Sequence, residues 1–241
     1  MKYFLRVCLI FGVVIMADGR AFSEQFGNPP VEFIVQSHAS FVIISGTAAV
    51  YVDPTGEKED YTGIPDPDII LVTHGHFDHL NKSLIAELER PETVIIGPGA
   101  VISDLCYGEA FNNSESQAFG NIGIQAVPAY NITPDRIRSH PKETGNGYVV
   151  TLNGLRIYIS GDTEDTPEMR NLKDIDYAFV CMNLPWTMSV EQAASGVLAF
   201  KPKVVFPYHY RQRGKPADLE KFKRLVSRNK NIKVELLKWY K

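Results

Sequence analysis

The segment Asp68-Ile69-Ile70-Leu71-Val72-Thr73 is a nearly unbroken apolar run that ends abruptly in His74-Gly75-His76-Phe77-Asp78-His79. An apolar run without alternation is the pattern of a strand covered on both faces, so the fold must supply layers on either side of its sheet. Three of the chain's six histidines and an aspartate follow directly, on a loop with a rigid base that faces a cleft. Crowding so many titratable groups is costly unless they share a metal ion. His74 and His76 lie two apart, so in an extended segment they project to one side and can converge on one ion. Asp78 and His79 follow on a turn and can face a neighbouring ion. Imidazole with carboxylate suits Zn²⁺ first, as one ion or two, with Mn²⁺ or Fe²⁺ as alternatives.

The rest of the chain is organised around similar runs. Val31 to Gln36, Phe41 to Ser45 and Ala48 to Val52 read as strands, the last stopped by Asp53-Pro54. Glu57 to Pro67 is polar and rich in Gly and Pro, hence a loop. Ser83 to Arg90 and Val101 to Tyr107 read as helices, with a buried strand at Thr93 to Ile96. Ile122 to Val127 is a strand, followed by an irregular segment from Pro128 to Asn146. Asn153-Gly154 marks a hairpin between Tyr148 to Leu152 and Leu155 to Ser160. Strands are expected at Ile175 to Cys181, Lys203 to Pro207 and Ile232 to Leu237, and a helix at Ala217 to Arg228. Ser189 with Gln192 three residues on resembles a capping box opening a helix over Val190 to Phe200. Strands first, then strands mixed with helices, suit an α+β domain of two sheets packed face to face with helices outside.

At the N-terminus, Lys2 and Arg6 precede the apolar run Val7 to Met16, and Ala21-Phe22-Ser23 offers small residues at a cleavage site. The pattern predicts a signal peptide over 1–23, export to the periplasm or medium, and no stable membrane anchor after cleavage. A buried first strand or helix is the competing reading. Cleavage removes Lys2, Arg6, Arg20 and Asp18, which shifts the formal net charge from −3 to −5 for a domain over 24–241. No basic stripe is present, so nucleic acid is not expected as a partner. Cys106 and Cys181 would remain, read as two buried free thiols, with a disulfide as the alternative.

Histidine motif, strand and order together resemble the metallo-β-lactamase-fold hydrolases, whose mark is His-x-His-x-Asp-His after a buried strand. The resemblance spans nearly the whole mature chain and implies an αββα four-layer sandwich. Asp53-Pro54 resembles the family's early aspartate, Gly161-Asp162-Thr163 the segment whose Asp bridges two metals, and His209 the late histidine. His38-Ala39-Ser40-Phe41, Pro128-Ala129-Tyr130-Asn131, Gly145-Asn146-Gly147-Tyr148 and Pro207-Tyr208-His209-Tyr210 are closest to the compact group related to ascorbate-phosphate lactonases. The resemblance implies His74 and His76 on a first metal, Asp78, His79 and His209 on a second, and Asp162 between them. A metal-bound hydroxide would then cleave a small ester, lactone or phosphoester, with Asp78 orienting the water. Where the family places a third histidine for the first metal, this chain has Asn131, a poorer ligand. His140 supplies the nitrogen if the intervening loop folds back; otherwise it is a surface or substrate-facing residue. His38 is read as a support for a metal ligand. Trp186, Met188, Tyr130, Tyr208 and Tyr210 are candidate pocket residues, and Lys142, Arg211 and Arg213 candidate partners for an anionic small-molecule substrate. Two other functions remain open: an exported metal-binding protein with a degenerate first site, and a di-iron oxidoreductase on the same fold, which would carry Glu in place of His76 and an attached flavin domain.

Overall fold

The computed structural model describes residues 13–15, 20–23, 29–212 and 214–240. The expected signal peptide lies largely outside the described residues. Two short segments within it, β1 (Val13–Ile15) and β2 (Arg20–Ser23), pair at the edge of the first sheet.

That sheet continues in chain order through β3 (Val31–Ser37), β4 (Ser40–Ser45), β5 (Ala48–Val52), β6 (Ile69–Leu71), β7 (Val94–Gly97) and β8 (Glu109–Ala110). Pairing is antiparallel as far as β5 and parallel from β5 to β8. The second sheet runs β9 (Ser116–Phe119), β10 (Ile122–Ala129), β11 (Gly145–Leu152), β12 (Leu155–Ile159), β13 (Tyr177–Cys181) and β14 (Val204–Tyr208). Beyond it a small ribbon joins β15 (Arg211–Gln212) to β16 (Lys215–Pro216), and β17 (Lys233–Val234) closes the second sheet beside β14. Here too a hairpin-linked antiparallel part, β9 to β12, gives way to a parallel part, β12 to β17.

The central parallel strands Ile69–Leu71, Tyr177–Cys181 and Val204–Tyr208 are buried at every position, as strands covered on both faces must be. Between the sheets, Phe33 meets Tyr177, Phe179 and Phe206 edge-on with ring centroids 5.0–5.4 Å apart. On the outer face of the first sheet, Ile70, Val72 and Ile95 pack with Leu84, Ile85 and Leu88 of α1 (Lys82–Leu88) and Val101 and Leu105 of α2 (Gly99–Leu105). A single turn, α3 (Pro167–Arg170), precedes α4 (Val190–Phe200) and α5 (Leu219–Val226). Phe200 of α4 packs on Tyr158, which points away from the inward-facing Ile157 and Ile159. The result is the αββα sandwich. Ser189 does cap α4, accepting from the Gln192 N–H at 3.1 Å.

Several boundaries differ from expectation. The Glu57 to Pro67 loop contains a 3₁₀ turn, Lys58–Tyr61, which seats the Tyr61 ring on Tyr51. β8, β9 and α3 carry no apolar periodicity; β9 is a mostly exposed edge strand held by its pairing with β10 and by Phe119 against the core. The expected strand Ile232 to Leu237 pairs only at Lys233–Val234, and the chain then turns away so that Trp239 buries against Phe41 and Tyr208. Among the described residues Cys106 and Cys181 are both free; Cys181 is buried, but Cys106 is exposed, because it ends α2 in a left-handed conformation rather than continuing its apolar face. Among the described residues, no helix is long and apolar enough to cross a membrane.

Candidate metal centre

The parallel strands of the two sheets deliver their C-terminal ends to one place. Asp53 follows β5, the histidine motif follows β6, Asp162 follows β12 and His209 follows β14. Close approach of these ends depends on two glycines. A Cβ on Gly147 would stand 2.7 Å from the Ile159 carbonyl oxygen, and one on Gly161, at φ +60°, would stand 2.9 Å from that of Asn146. Neither position accepts a side chain without moving the backbone that aims Asp162.

Two histidine sets converge on Asp162. In the first, His74 Nε2 and His76 Nδ1 are 3.0 Å apart, and His140 completes a group whose ligand atoms all lie within 4.8 Å. In the second, His79 Nε2 and His209 Nε2 are 3.0 Å apart, and Asp78 Oδ2 lies 3.9 and 3.6 Å from them. Asp162 faces both sets: Oδ2 is 3.2 Å from His140 Nε2, whereas Oδ1 is 3.3 Å from His209 Nε2 and 3.7 Å from His79 Nε2. His140 Nε2 and Asp162 Oδ1 are buried with no hydrogen-bond partner among the described residues. Buried lone pairs without donors, converging at separations near the roughly 3.3 Å edge of a tetrahedral zinc–imidazole site, fit a bound divalent cation.

Four of these imidazoles, those of His74, His79, His140 and His209, are turned by a partner on the other nitrogen, as metal ligands usually are. Buried Asp53 lies 2.7 Å from His79 Nδ1 and accepts from the Thr73 N–H and hydroxyl, both at 2.7 Å. Thr73 Oγ1 is 3.0 Å from His74 Nδ1. His140 Nδ1 faces the Trp186 carbonyl at 3.1 Å, and the Asn183 amide faces His209 Nδ1 at 3.3 Å. His38 Nε2 lies 3.1 Å from Asp78 Oδ2. His38 and His209 both hold left-handed backbone, φ 57° and 45°, a conformation that costs energy and clusters at functional sites.

These surroundings set the charges. Burial pushes His74 well below the ordinary imidazole range and His209 down to about 3, so both are neutral with a free lone pair. Burial opposes protonation of His79 as well, but Asp53 and then Asp162 outweigh it and raise His79 to about 9. Burial works to raise Asp78, yet the His38 hydrogen bond and the nearby His79 and His209 hold it at about 2. Asp162 is likewise held well below the carboxylate range, by His209 and His79 against its burial.

The structure therefore brings together all seven residues His74, His76, Asp78, His79, His140, Asp162 and His209. Asn131 does not stand among them. Its backbone N–H donates to the His140 carbonyl at 2.9 Å, and its side-chain amide donates to the carbonyls of Arg136 and Trp186. Asn131 thus folds the loop back and delivers His140. That loop is held by a buried carboxylate: Glu164 accepts from the N–H groups of Ile132 and Thr133 at 2.7 Å and pairs with Arg136 Nε at 2.7 Å. Arg136 also donates to the Thr187 carbonyl at 2.8 Å. No spacing in the sequence flags Glu164 or Arg136.

The pocket candidates divide. Met188 and Tyr208 are fully buried core residues, and Tyr210 is nearly so; each packs into the apolar interior that its hydrophobicity favours. Lys142 lies over the Tyr130 ring at 5.2 Å, in a different cleft from Arg211. Arg213 lies outside the described residues. Phe77, Trp239 and Tyr240 line the cavity beside Asp78, and sequence reading missed them as pocket residues.

A Beta-lactamase superfamily domain model matches residues 34–209, a span that contains all seven candidate ligands. A UPF0173 metal-dependent hydrolase of Methanoregula boonei is 30% identical over 204 residues, covering 81% of this chain and 90% of the relative. A UPF0173 metal-dependent hydrolase of Pyrococcus horikoshii is 34% identical over 209 residues, covering 78% and 89%. The solved structure of a candidate metal-dependent hydrolase from Parabacteroides distasonis is 37% identical, with a TM-score of 0.80 over 95% of this chain and 98% of that one.

Proposed function

Because the chain belongs to the metallo-β-lactamase superfamily and is a metal-dependent hydrolase, we propose that it cleaves a small ester, lactone or phosphoester at a two-ion centre. His74, His76 and His140 would hold one ion, Asp78, His79 and His209 the other, with Asp162 between them. Zn²⁺ is the ion that this nitrogen-rich donor set suits best, ahead of Mn²⁺ and Fe²⁺. The observation that carries the reading is the double aim of Asp162, one oxygen toward His140 and the other toward His79 and His209. Divalent ions bound there supply Lewis acidity, which acidifies water and stabilises negative charge developing on the scissile oxygen.

The protein's own contribution is orientation. Asp53 and Thr73 fix His79 and His74 so that both present Nε2. Asp78, held as a carboxylate and aligned by His38, presents an acceptor beside the cavity. As a carboxylate, Asp78 would orient a water O–H. His74, His79, Asp162 and His209 are buried, which strengthens every electrostatic interaction at the site by limiting water.

The alternative of a degraded first site rested on Asn131; its hydrogen bonds to the carbonyls of His140, Arg136 and Trp186 support His140 as the ligand in its place. Metal analysis of the purified protein together with a panel of lactones, phosphodiesters and esters, assayed with Zn²⁺ and with Mn²⁺, tests the proposal. About two zinc or manganese ions per chain with turnover of one panel class supports it. Iron with no hydrolysis of any class overturns it in favour of redox chemistry. Export is proposed on the N-terminal pattern alone; a mature chain beginning at Glu24, read by N-terminal sequencing, is the expected outcome, and an intact Met1 terminus on the folded protein contradicts it.

A further inference from the structure

A cavity of about 750 Å³ opens beside Asp78, within the size range of small-molecule pockets. It is lined by Asp78 and His38 and by Phe77, Trp239, Tyr240 and Arg211. Arg211 follows His209 by two residues, so the exit of β14 places a candidate metal ligand and this cation near each other. The Arg211 guanidinium carbon sits 4.2 Å from the centroid of the Tyr240 ring. The Tyr240 hydroxyl is 3.0 Å from His38 Nδ1, and His38 Nε2 is 3.1 Å from Asp78 Oδ2. A continuous chain of contacts thus ties Arg211 to a carboxylate of the reacting centre.

Stacking on an aromatic face leaves the N–H edges of a guanidinium open, and those edges match a planar oxyanion in two parallel hydrogen bonds. No carboxylate pairs with Arg211 among the described residues. Asp60, the remaining acid in the cavity lining, already accepts from the Glu57 N–H at 3.0 Å. Phe77 is 91% exposed, although it sits inside the histidine motif, where packing gives no reason for an aromatic side chain. In the cavity lining it offers an apolar wall.

We propose that this cavity binds the non-reacting part of the substrate and that Arg211 captures an oxyanion there, a carboxylate or a phosphate. The substrate class is then an ester, lactone or phosphoester carrying a second anionic group, separated from the scissile bond by a short apolar stem. The inference rests on the hydrolase reading, and its test separates the two.

Zinc-loaded wild-type protein, Arg211→Gln and Arg211→Lys are titrated calorimetrically with acetate, glutarate and 3-phosphonopropionate. The two-ended probes should bind the wild type at least about tenfold more tightly than acetate, the scale of one charge-assisted bidentate contact. Arg211→Gln should lose that preference, and Arg211→Lys, which keeps the charge without the planar fork, should keep part of it. The ratio of glutarate to 3-phosphonopropionate tells carboxylate from phosphate. Equal binding of acetate and the two-ended probes by the wild type, or an undiminished preference in folded Arg211→Gln, overturns the proposal. Turnover adds a second readout: KM for monomethyl glutarate should rise about tenfold in Arg211→Gln with kcat retained, and KM for dimethyl glutarate should not move. A retained binding preference without hydrolysis of any ester, lactone or phosphodiester would remove the proposed hydrolytic reading and leave the anion subsite standing.

Discussion

The two halves of the metal centre are built by different means. Around His79 and His209, the ligands and the carboxylate behind His79 come from the ends of parallel strands: Asp53 after β5, the motif after β6, Asp162 after β12 and His209 after β14. Sheet register positions such residues, and Asp53, His79, Asp162 and His209 are all buried. Around His140, two ligands come from the motif, but the third comes from residues 130–144, which form neither helix nor strand. Register says nothing about that loop. Glu164, Arg136 and Asn131 hold it by hydrogen bonds and one ion pair to the buried Glu164 carboxylate. A site assembled from strand ends inherits its geometry from the fold, whereas a site that borrows a ligand from a loop needs a dedicated clamp.

Breaking the shared carboxylate should have the largest effect. Asp162→Ala is expected to empty both halves and lower turnover on the order of a thousandfold, the scale lost when charge stabilisation in a transition state is removed. Metal content by mass spectrometry and the rate on the best panel substrate check this; full activity in Asp162→Ala would remove the two-ion reading. Next comes His140→Ala, which should drop metal content from about two ions per chain to about one and lower turnover on the order of a hundredfold. Unchanged stoichiometry would return His140 to a surface role. A smaller effect is expected for Glu164→Gln, which keeps acceptors for the Ile132 and Thr133 N–H groups but removes the charge paired with Arg136. Affinity at the first half should weaken by about 10- to 100-fold, with the second half unchanged, the usual cost of losing a residue that orients a ligand. Equal weakening of both halves would show that the loop clamp is not specific to His140.

The same contrast explains what the sequence made legible. The motif, Asp162 and His209 could be placed at strand ends because each follows a run whose apolar pattern marks a buried strand; the roles of Asp162 and His209 came from the family resemblance. The helix at Val190–Phe200 was readable because its cap and its apolar face lie within a few residues of each other. His140 was left open because its placement depends on Glu164 and Trp186, 24 and 46 residues further on. Arg211 was readable as a cation, but the cavity it serves was not. That cavity exists because the C-terminal residues return to His38, a contact across 202 positions, and a fading apolar run at Ile232 to Leu237 reads simply as a strand. Local periodicity does not encode contacts of that range.

The last expected difference between the halves concerns protons. His74 and His76 lie below the ordinary imidazole range in the metal-free protein, chiefly through burial, so the first half is ready for a cation at neutral pH. His79 is raised to about 9 by Asp53 and Asp162 against its burial, so it must shed a proton before Nε2 can ligate. Metal uptake by the second half at pH 7.5 should therefore release about one proton more than uptake by the first. Calorimetry of His140→Ala, in buffers of differing ionisation enthalpy, reads that release directly. Asp53→Asn should lower it by removing the largest influence that raises His79. The sign for stability follows from the same shift. A folded-state value above the ordinary 6.5 means that the charged His79 stabilises the metal-free protein fully below pH 6.5, and that this contribution is lost as pH rises toward and through about 9. The melting temperature of the metal-free protein should fall over that window, and the fall should shrink in Asp53→Asn. A flat profile in both proteins would mean that His79 is already neutral, and that the two halves differ in how they are held but not in what they cost to fill.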